Sequence, residues 1–263
     1  LAKVASLDAT PEWKTRAAYL LGECHVTLEQ LDKAEAAFAA ALPGMTGPDG
    51  ATCQYRLGLT RYLLKKYELA IVDFEAYLKR AKPTAPKDKP KKGKKKKQNA
   101  AGDPASQDAR FFIARSHFEL EDFGKAEQKF SALAGGEGII AAKSNLWWGR
   151  IHSRGKANYE RAAQILGEAA KRLNKPGKKN LHNAPIIDDL EFDYANALMG
   201  SKKPEWKLAA DALARVEARG KFGQMAEVVA QRATCLHKVK DYANSLRSAD
   251  AFVSRFADHP LAG

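Results

Sequence analysis

The sequence predicts an all-α protein built from about six stacked helical hairpins. Three segments align without gaps, and in each a small residue is followed twelve positions later by Ala and sixteen positions later by Phe. The three sets are Gly22, Ala34 and Phe38; Gly58, Ala70 and Phe74; and Ala114, Ala126 and Phe130. Apolar residues around them recur at the spacing of an amphipathic helix, and no run alternates as a strand does.

Three further segments fit the same pattern with small adjustments. Their first small residues are Gly149, Ala195 and Ala233. Compared with the first three segments, they have one, two and no extra residues before the small residue of the second helix. We expect these small residues to let paired helices approach closely, with the larger residue filling the space beside them. Because one hairpin cannot bury its own apolar face, neighbouring hairpins must stack.

The repeats and the basic stretches between them predict the organisation of the chain. Residues 1–14 are interpreted as the remnant of a preceding helix, and the first residue, Leu1, leads us to expect further sequence upstream. The remaining segments are hairpins one and two (15–81), a Lys-rich loop (82–105), hairpins three and four (106–173), a basic connector (174–186), and hairpins five and six with the run-in to a further repeat (187–263).

Composition and charge exclude several classes of protein. The 263 residues are 45% hydrophobic and 29% charged, which argues against wholesale disorder, and no apolar run approaches the roughly 18 residues that cross a bilayer. The formal net charge is +13, and residues 82–97 hold nine lysines against one acid. The candidate anion-binding residues are Lys91, Lys92, Lys94, Lys95, Lys96 and Lys97. They leave open binding to nucleic acid or another anionic surface, although we do not expect nucleic acid as the main partner.

The sequence contains no strong motif for nucleotide binding, metal binding or disulfide formation. Residues Gly136 to Ala141 match a dinucleotide fingerprint, but a helix rather than a strand is predicted before them, so we interpret them as a connector. His25, His117 and His152 share one repeat position, yet stacked helices lie about 8 to 10 Å apart, too far for one metal ion. The three cysteines form neither a disulfide framework nor a zinc spacing. We therefore expect no enzyme activity, no metal and no cofactor.

The hairpin pattern resembles the tetratricopeptide repeat, a helical hairpin of about 34 residues with small residues at its eighth and twentieth positions. The resemblance covers about 240 residues and implies a right-handed superhelical solenoid whose first helices line a groove. One departure is the eleventh position, usually aromatic or Leu, which holds His25, Arg61, His117 and His152. The proline that often closes a repeat is mostly missing.

A narrower likeness concerns two segments. Phe74–Arg80 and Phe252–Pro260 are similar to bacterial cell-envelope members of the family, such as outer-membrane assembly lipoproteins and the Tol-Pal coordinator. This likeness implies a location in the bacterial periplasm or envelope. It also implies an alternative role, in which the chain is a structural spacer within a larger envelope assembly protein.

The face of the first helices supplies the candidate binding site. Its second, fifth, ninth and twelfth positions are rich in aromatic residues and arginines, which protein-binding hot spots favour. The predicted groove residues are Tyr19, Tyr55, Tyr62, Phe111, Arg115, Phe118 and Arg150. An alternative is that several of these aromatic side chains pack between hairpins instead. The sequence thus predicts a non-catalytic scaffold that binds a peptide segment of another protein rather than a small-molecule substrate.

Overall fold

The computed structural model describes residues 10–81, 104–136, 138–173 and 185–260, which form twelve α-helices and no strand. In chain order the helices are α1 (Pro11–Thr27), α2 (Leu31–Ala41), α3 (Gly47–Leu63), α4 (Tyr67–Arg80), α5 (Pro104–Glu119), α6 (Phe123–Ala134), α7 (Ile139–Arg150), α8 (Tyr159–Leu173), α9 (Pro185–Gly200), α10 (Trp206–Arg219), α11 (Met225–Lys238) and α12 (Tyr242–Arg255). Odd-numbered helices are the first helices of the six hairpins. The predicted all-α helical-repeat fold is confirmed.

Four hairpins turn from first to second helix in the same way. Glu29, Lys65, Glu121 and Lys240 lie at the centre of the turn with φ between 57° and 64°, the left-handed region that favours glycine. The backbone NH of the next residue donates to the carbonyl five residues earlier, at 2.8 to 2.9 Å. This bond satisfies a carbonyl at the end of the first helix, so one turn geometry sets the register of all four hairpins.

Small residues lie where the paired helices cross, as the repeat pattern predicts. A Cβ placed on Gly22 would lie 2.5 Å from Cε1 of Phe38, and one placed on Gly149 would lie 2.5 Å from Cγ of Leu166. The small residues of the second helices are completely buried at Ala34, Ala70, Ala162 and Ala209. The predicted close approach of the two helices is therefore confirmed.

The extra residue of the fourth hairpin is absorbed by a short π-helix. Residues Ile151–Gly155 continue α7 with π geometry, and the left-handed turn residue is Ala157, with φ 48°. Here the NH of Asn158 donates to the carbonyl of His152, six residues earlier, at 2.7 Å. Because the π-helix holds one more residue per turn, Ala162 still reaches its buried position against the first helix.

The chain forms two compact units, residues 1–129 and 130–263, which divide within α6. In the first unit, neighbouring hairpins share core clusters that include Phe38 with Leu57 and Phe74 with Ile113. In the second unit, Leu166 packs with Leu190 of the following hairpin. A further cluster there joins Leu213 to Val228 and Val229. Within each unit, the apolar face of one hairpin is thus covered by the next.

Arg61, at the eleventh position of the second hairpin, joins two hairpins through partly buried ion pairs. Its Nε donates to Glu35 Oε1 and its Nη1 to Asp73 Oδ2, both at 2.9 Å, and Gln54 Nε2 donates to Asp73 Oδ1 at 2.7 Å. Burial raises the pKa of Asp73, although Arg61 and Gln54 oppose the shift. Burial acts in the same sense on Glu35, but hydrogen bonds from Lys66 and Arg61 hold its pKa below the usual value. The arginine therefore replaces an apolar contact with an ion-pair network.

Several predicted boundaries can be compared with the helices. Residues 11–14, which the sequence assigns to a preceding helix, are instead the first turn of α1, because Pro11 supplies the fixed φ that suits a helix start. Likewise α5 begins at Pro104 and α9 at Pro185, so the last two residues of each predicted basic segment are helical. The rest of the Lys-rich loop, with Lys91 to Lys97, and most of the 174–186 connector lie outside the described residues. Among the described helices, none is long and apolar enough to cross a membrane.

Candidate functional site

In the first unit, the predicted tyrosines lie on the first helices of neighbouring hairpins and are half-buried. The Tyr19 ring packs on Phe38 with centroids 5.7 Å apart, and the Tyr55 ring packs on Phe74 at 5.6 Å. Tyr62 packs edge-on against Phe112, at 5.0 Å. Each ring therefore packs between helices and stays partly exposed. These contacts agree with the packing interpretation made from the sequence, and the role of the tyrosines in a binding groove stays a prediction.

The tyrosine hydroxyls form polar pairs between successive first helices. Tyr55 Oη donates to Asp108 Oδ2 at 3.3 Å, and Tyr62 Oη accepts from Arg115 Nε at 3.2 Å. Burial, followed by the nearby Asp108 carboxylate, raises the pKa of Tyr55 to about 12. Burial and then Glu23 also raise the pKa of Tyr19. These phenols therefore stay protonated near neutral pH, where they can donate to or accept from a polypeptide backbone.

The predicted groove residues of the third hairpin differ in burial and in their contacts. Phe111 is buried, 7% exposed, and meets the Phe112 ring at 5.9 Å, so its side chain belongs to the interior rather than to the open face. The guanidinium of Arg115 pairs with Glu119 and lies 5.6 Å from the Phe118 ring centroid. The structure thus brings Tyr62, Arg115 and Phe118 together as one continuous patch. Tyr19 and Tyr55 lie on the preceding hairpins, each with partners of its own.

A cleft of about 460 Å³ lies beside this face at the first two hairpins. Arg16, Tyr19 and Thr52 line it from predicted groove positions, and Glu12 and Asp49 add negative charge to the lining. Nearby, Arg56 pairs with Glu23 at 3.0 Å while both side chains stay 30% to 40% exposed. The cleft can accept a side chain, and the exposed ion pair can be reorganised around a charged one.

Arg150 belongs to the second unit, where its guanidinium contacts two carboxylates and an aromatic ring. Its Nε donates to Asp193 Oδ2 at 2.5 Å, Asp189 lies 3.7 Å from its Nη2, and its guanidinium lies 4.7 Å from the Trp147 ring centroid. Burial raises the pKa of Asp189, with Arg150 opposing the shift. Arg150 is therefore held on a pair of carboxylates of α9, and a ligand would meet the whole cluster rather than the arginine alone.

Sequence reasoning missed the acidic and basic partners of the predicted residues. Arg56 and Glu119 lie one position beyond the positions chosen, and Asp189 occupies the second position of the fifth hairpin, which the prediction did not reach. Extending the same periodicity to hairpin five would have identified Asp189. The described residues contain no group of three or more side chains able to hold a metal ion.

The comparisons with known proteins agree with this architecture. Residues 15–42, the first hairpin, match the tetratricopeptide repeat model. No curated protein sequence matches the chain significantly.

Among solved structures, the chain is similar to the apo form of RapI, with a TM-score of 0.56 and 14% identity over 94% of this chain and 84% of that chain. It is also similar to the apo quorum sensor NprR from B. thuringiensis, with a TM-score of 0.55 and 13% identity over 97% and 79% of the two chains. The Rap conjugation gene regulator of plasmid pLS20, in complex with the Phr* peptide, gives a TM-score of 0.52 and 13% identity over 93% and 64%. At these identities the similarity concerns the fold alone. The chain is an all-α helical-repeat protein whose first hairpin matches the tetratricopeptide repeat.

Proposed function

We propose that the protein is a non-catalytic scaffold that binds a peptide segment of another protein on the face of its first helices. The observation that carries the proposal is a set of three partly exposed tyrosines on the first helices of the first two hairpins, Tyr19 on α1 and both Tyr55 and Tyr62 on α3. The hydroxyls of Tyr55 and Tyr62 reach Asp108 and Arg115 on the third hairpin. Rigid aromatic rings provide contact area at low entropic cost, and their hydroxyls provide directed hydrogen bonds.

The chemistry of this face suits an extended or helical peptide. Apolar side chains of the ligand would pack on the exposed sides of the tyrosine rings, while its backbone groups would bond to the phenols. Arg115 and Phe118 extend the same patch, and the cleft at Arg16 and Thr52 would receive one further side chain. Arg150 with Asp189 and Asp193 is proposed as a separate contact in the second unit. The similar fold of a Rap regulator that is bound to a peptide supports this choice of ligand.

The test begins with a partner recovered by affinity pull-down and a peptide derived from it. We expect Tyr62→Ala and Arg115→Ala each to weaken binding about tenfold or more. Tyr55→Phe should weaken it less, because it removes only the hydroxyl. Val72→Ala is the matched control, since Val72 is exposed on a second helix and lies off this face.

If the Lys-rich segment rather than the first helices binds the partner, the variants should give the opposite result. Deleting residues 86–99 should leave peptide affinity unchanged if the first helices bind the partner. Unchanged affinity in the Tyr62 and Arg115 variants, with loss on deletion and a steep dependence on salt, would instead favour an anion-binding segment.

The narrower likeness of Phe74–Arg80 and Phe252–Pro260 to envelope proteins supports a proposed location in the bacterial periplasm or envelope. There the same array would also act as a spacer between components of a larger assembly. Fractionation of cells that express the natural protein tests this location, and recovery with the cytoplasmic fraction would contradict it.

A further inference from the structure

The second unit carries a groove between two of its second helices, α8 and α10. Both helices pack on α9, whose Tyr194 and Leu198 line the groove between them. The groove consists of two clefts of about 580 and 380 Å³, which share Gly167, Lys171 and Tyr194. We name the two clefts together the Tyr194 groove. It contains none of the residues proposed above for the first-helix face.

Small side chains on α8 keep the Tyr194 groove open. A Cβ on Gly167 would lie 2.8 Å from Cε2 and 3.2 Å from Oη of Tyr194, so the ring lies directly against the backbone of α8. Ala163 occupies the repeat position that Ile71 holds in the second hairpin, where the larger side chain packs against the core cluster. A glycine inside a helix costs about 1 kcal/mol relative to alanine, so the chain accepts a cost to hold Tyr194 here.

The turn between α9 and α10 forms one end of the groove and is held by hydrogen bonds. Ser201 Oγ donates to the carbonyls of Leu198 and Lys203, at 3.1 and 2.8 Å. The NH of Lys202 donates to Glu160 Oε1 on α8 at 3.0 Å. These bonds fix the backbone that carries the two lysines, so this wall loses little entropy when a ligand binds against it.

Tyr194 brings an unused hydroxyl to the point where the two clefts meet. Within the described ranges this hydroxyl forms no hydrogen bond. Burial, followed by the nearby Glu205 carboxylate, raises the pKa of Tyr194. The phenol therefore stays protonated near neutral pH and can donate to a backbone carbonyl that crosses it.

The charged groups around the larger cleft leave cations available to a ligand. Three lysines line it, and none of them forms a salt bridge with another described residue. They are Lys171, Lys202 and Lys203. Of the three carboxylates in the same lining, Glu160 and Glu168 already accept a hydrogen bond from within the protein, and Glu205 is the third. The available donors therefore complement an acidic ligand better than a basic one.

We propose that the Tyr194 groove is a second binding site, which takes an extended acidic peptide segment of a partner protein. Alternate side chains of an extended chain point to the same side about 7 Å apart, which suits two clefts that meet at one ring. An apolar side chain of the peptide would enter each cleft, and in the smaller one it would pack on Leu208, which is 43% exposed. The carbonyl between them would accept from Tyr194 Oη, and carboxylates beside them would pair with Lys171 and Lys203.

Fluorescence anisotropy of the 263-residue protein with a labelled synthetic peptide tests the proposal. The probe has two leucines separated by one serine and followed by two glutamates, and we expect saturable binding with a Kd below about 1 mM. A peptide with lysines in place of the glutamates should bind at least about tenfold more weakly, as should one with serines in place of the leucines. Lack of saturable binding by the acidic probe, or equal affinity for the basic one, would overturn the proposal.

Variants of the protein show whether the probe occupies this groove. Tyr194→Phe should weaken binding about threefold to tenfold and leave the urea midpoint unchanged, because the hydroxyl has no hydrogen bond to lose in the described protein. Lys203→Glu should weaken binding about tenfold. Unchanged affinity in both variants would show that the probe binds elsewhere and that the proposal is wrong.

Two further variants are the controls. Lys221→Glu makes the same charge change on an exposed lysine of the same unit that lines neither cleft, so it should leave the affinity unchanged. A loss equal to that of Lys203→Glu would indicate nonspecific attraction to a chain of net charge +13 and would overturn the proposal. Tyr62→Ala removes a side chain of the first-helix face and should not affect this probe, which separates the two proposed sites. Circular dichroism of each variant checks that the helices are intact.

Discussion

Phe38 packs against Gly22 so closely that a Cβ on the glycine would lie 2.5 Å from the phenylalanine ring. The corresponding pair in the next hairpin is looser, because a Cβ on Gly58 would lie 3.2 Å from Phe74 and 3.0 Å from Cβ of Asp73. The two hairpins share a repeat pattern but differ in how much volume the helix crossing tolerates. Substitutions at the two glycines should therefore differ in a graded way.

We expect Gly58→Leu to destabilise the protein by about 1 to 3 kcal/mol, because the leucine overpacks the crossing of α3 and α4. Gly22→Ala should cost more than Gly58→Ala, since Phe38 must move to admit even one methyl group. The free energy of unfolding from urea denaturation measures both. Gly124→Leu is the control, because a Cβ there meets nothing closer than 3.9 Å. Equal stability of Gly58→Leu and the parent would show that the assigned repeat register is wrong.

The turn between α3 and α4 offers a stabilising change. Lys65 holds φ 60°, a conformation that costs an L-residue about 1 to 2 kcal/mol and costs glycine little. We expect Lys65→Gly to raise the free energy of unfolding by about 1 kcal/mol, with part of the relief lost to the greater freedom of glycine in the unfolded chain. Lys65→Ala removes the same charge without relieving the conformation, so it should not stabilise. A glycine variant no more stable than the alanine variant would contradict this explanation.

Repeat periodicity predicted the hairpins because the residues that carry it are the ones that pack. Gly22, Gly58 and Phe38 are constrained by volume, and volume is readable from residue type. The π-helix at Ile151–Gly155 was not predicted, because one extra residue is visible in the spacing while the way the backbone absorbs it is not.

The candidate site was predicted less completely than the fold. The periodicity identified the side of the helix that carries Tyr62 and Arg115, which contact each other. It could not show that Phe111 is buried, because burial there depends on neighbouring side chains. Nor could it pair Arg61 with Glu35, since the partner comes from another hairpin and charge alone does not specify it.

The ion pairs of Arg61 predict opposite pH dependences for the two carboxyl groups of Asp73 and Glu35. The pKa of Asp73 is raised above 3.8, mainly by burial, so the folded protein binds this proton more tightly than the unfolded chain does. Its contribution to stability is therefore greatest at low pH and is lost as pH rises through the folded pKa. The pKa of Glu35 is lowered from 4.5, so its contribution is present above that value and is lost as pH falls through the folded pKa.

Two variants separate these effects. The unfolding free energy of the parent minus that of Asp73→Asn should fall as pH rises upward from about 3.8. The same difference for Glu35→Gln should rise with pH over a window that ends near 4.5. Parallel slopes for the two variants would show that Arg61 does not divide its interaction between the carboxylates as the structure indicates.

The π-helix of the fourth hairpin predicts that one residue can be deleted there without loss of the fold. Removing the exposed Arg154 would bring Ala157 to the position that Lys65 and Glu121 occupy in their hairpins, with α8 keeping its rotation against α7. We expect the free energy of unfolding to change by less than about 1 kcal/mol, because a π-helix is a less favourable geometry than the turn that replaces it.

Deleting Lys65 is the contrasting variant. It removes the left-handed residue from a hairpin with no residue to spare and would turn α4 by about 100°, which takes Phe74 out of the core. That deletion should cost roughly 3 kcal/mol or more. If the two deletions destabilise the protein equally, the extra residue of the fourth hairpin does not reside in Ile151–Gly155.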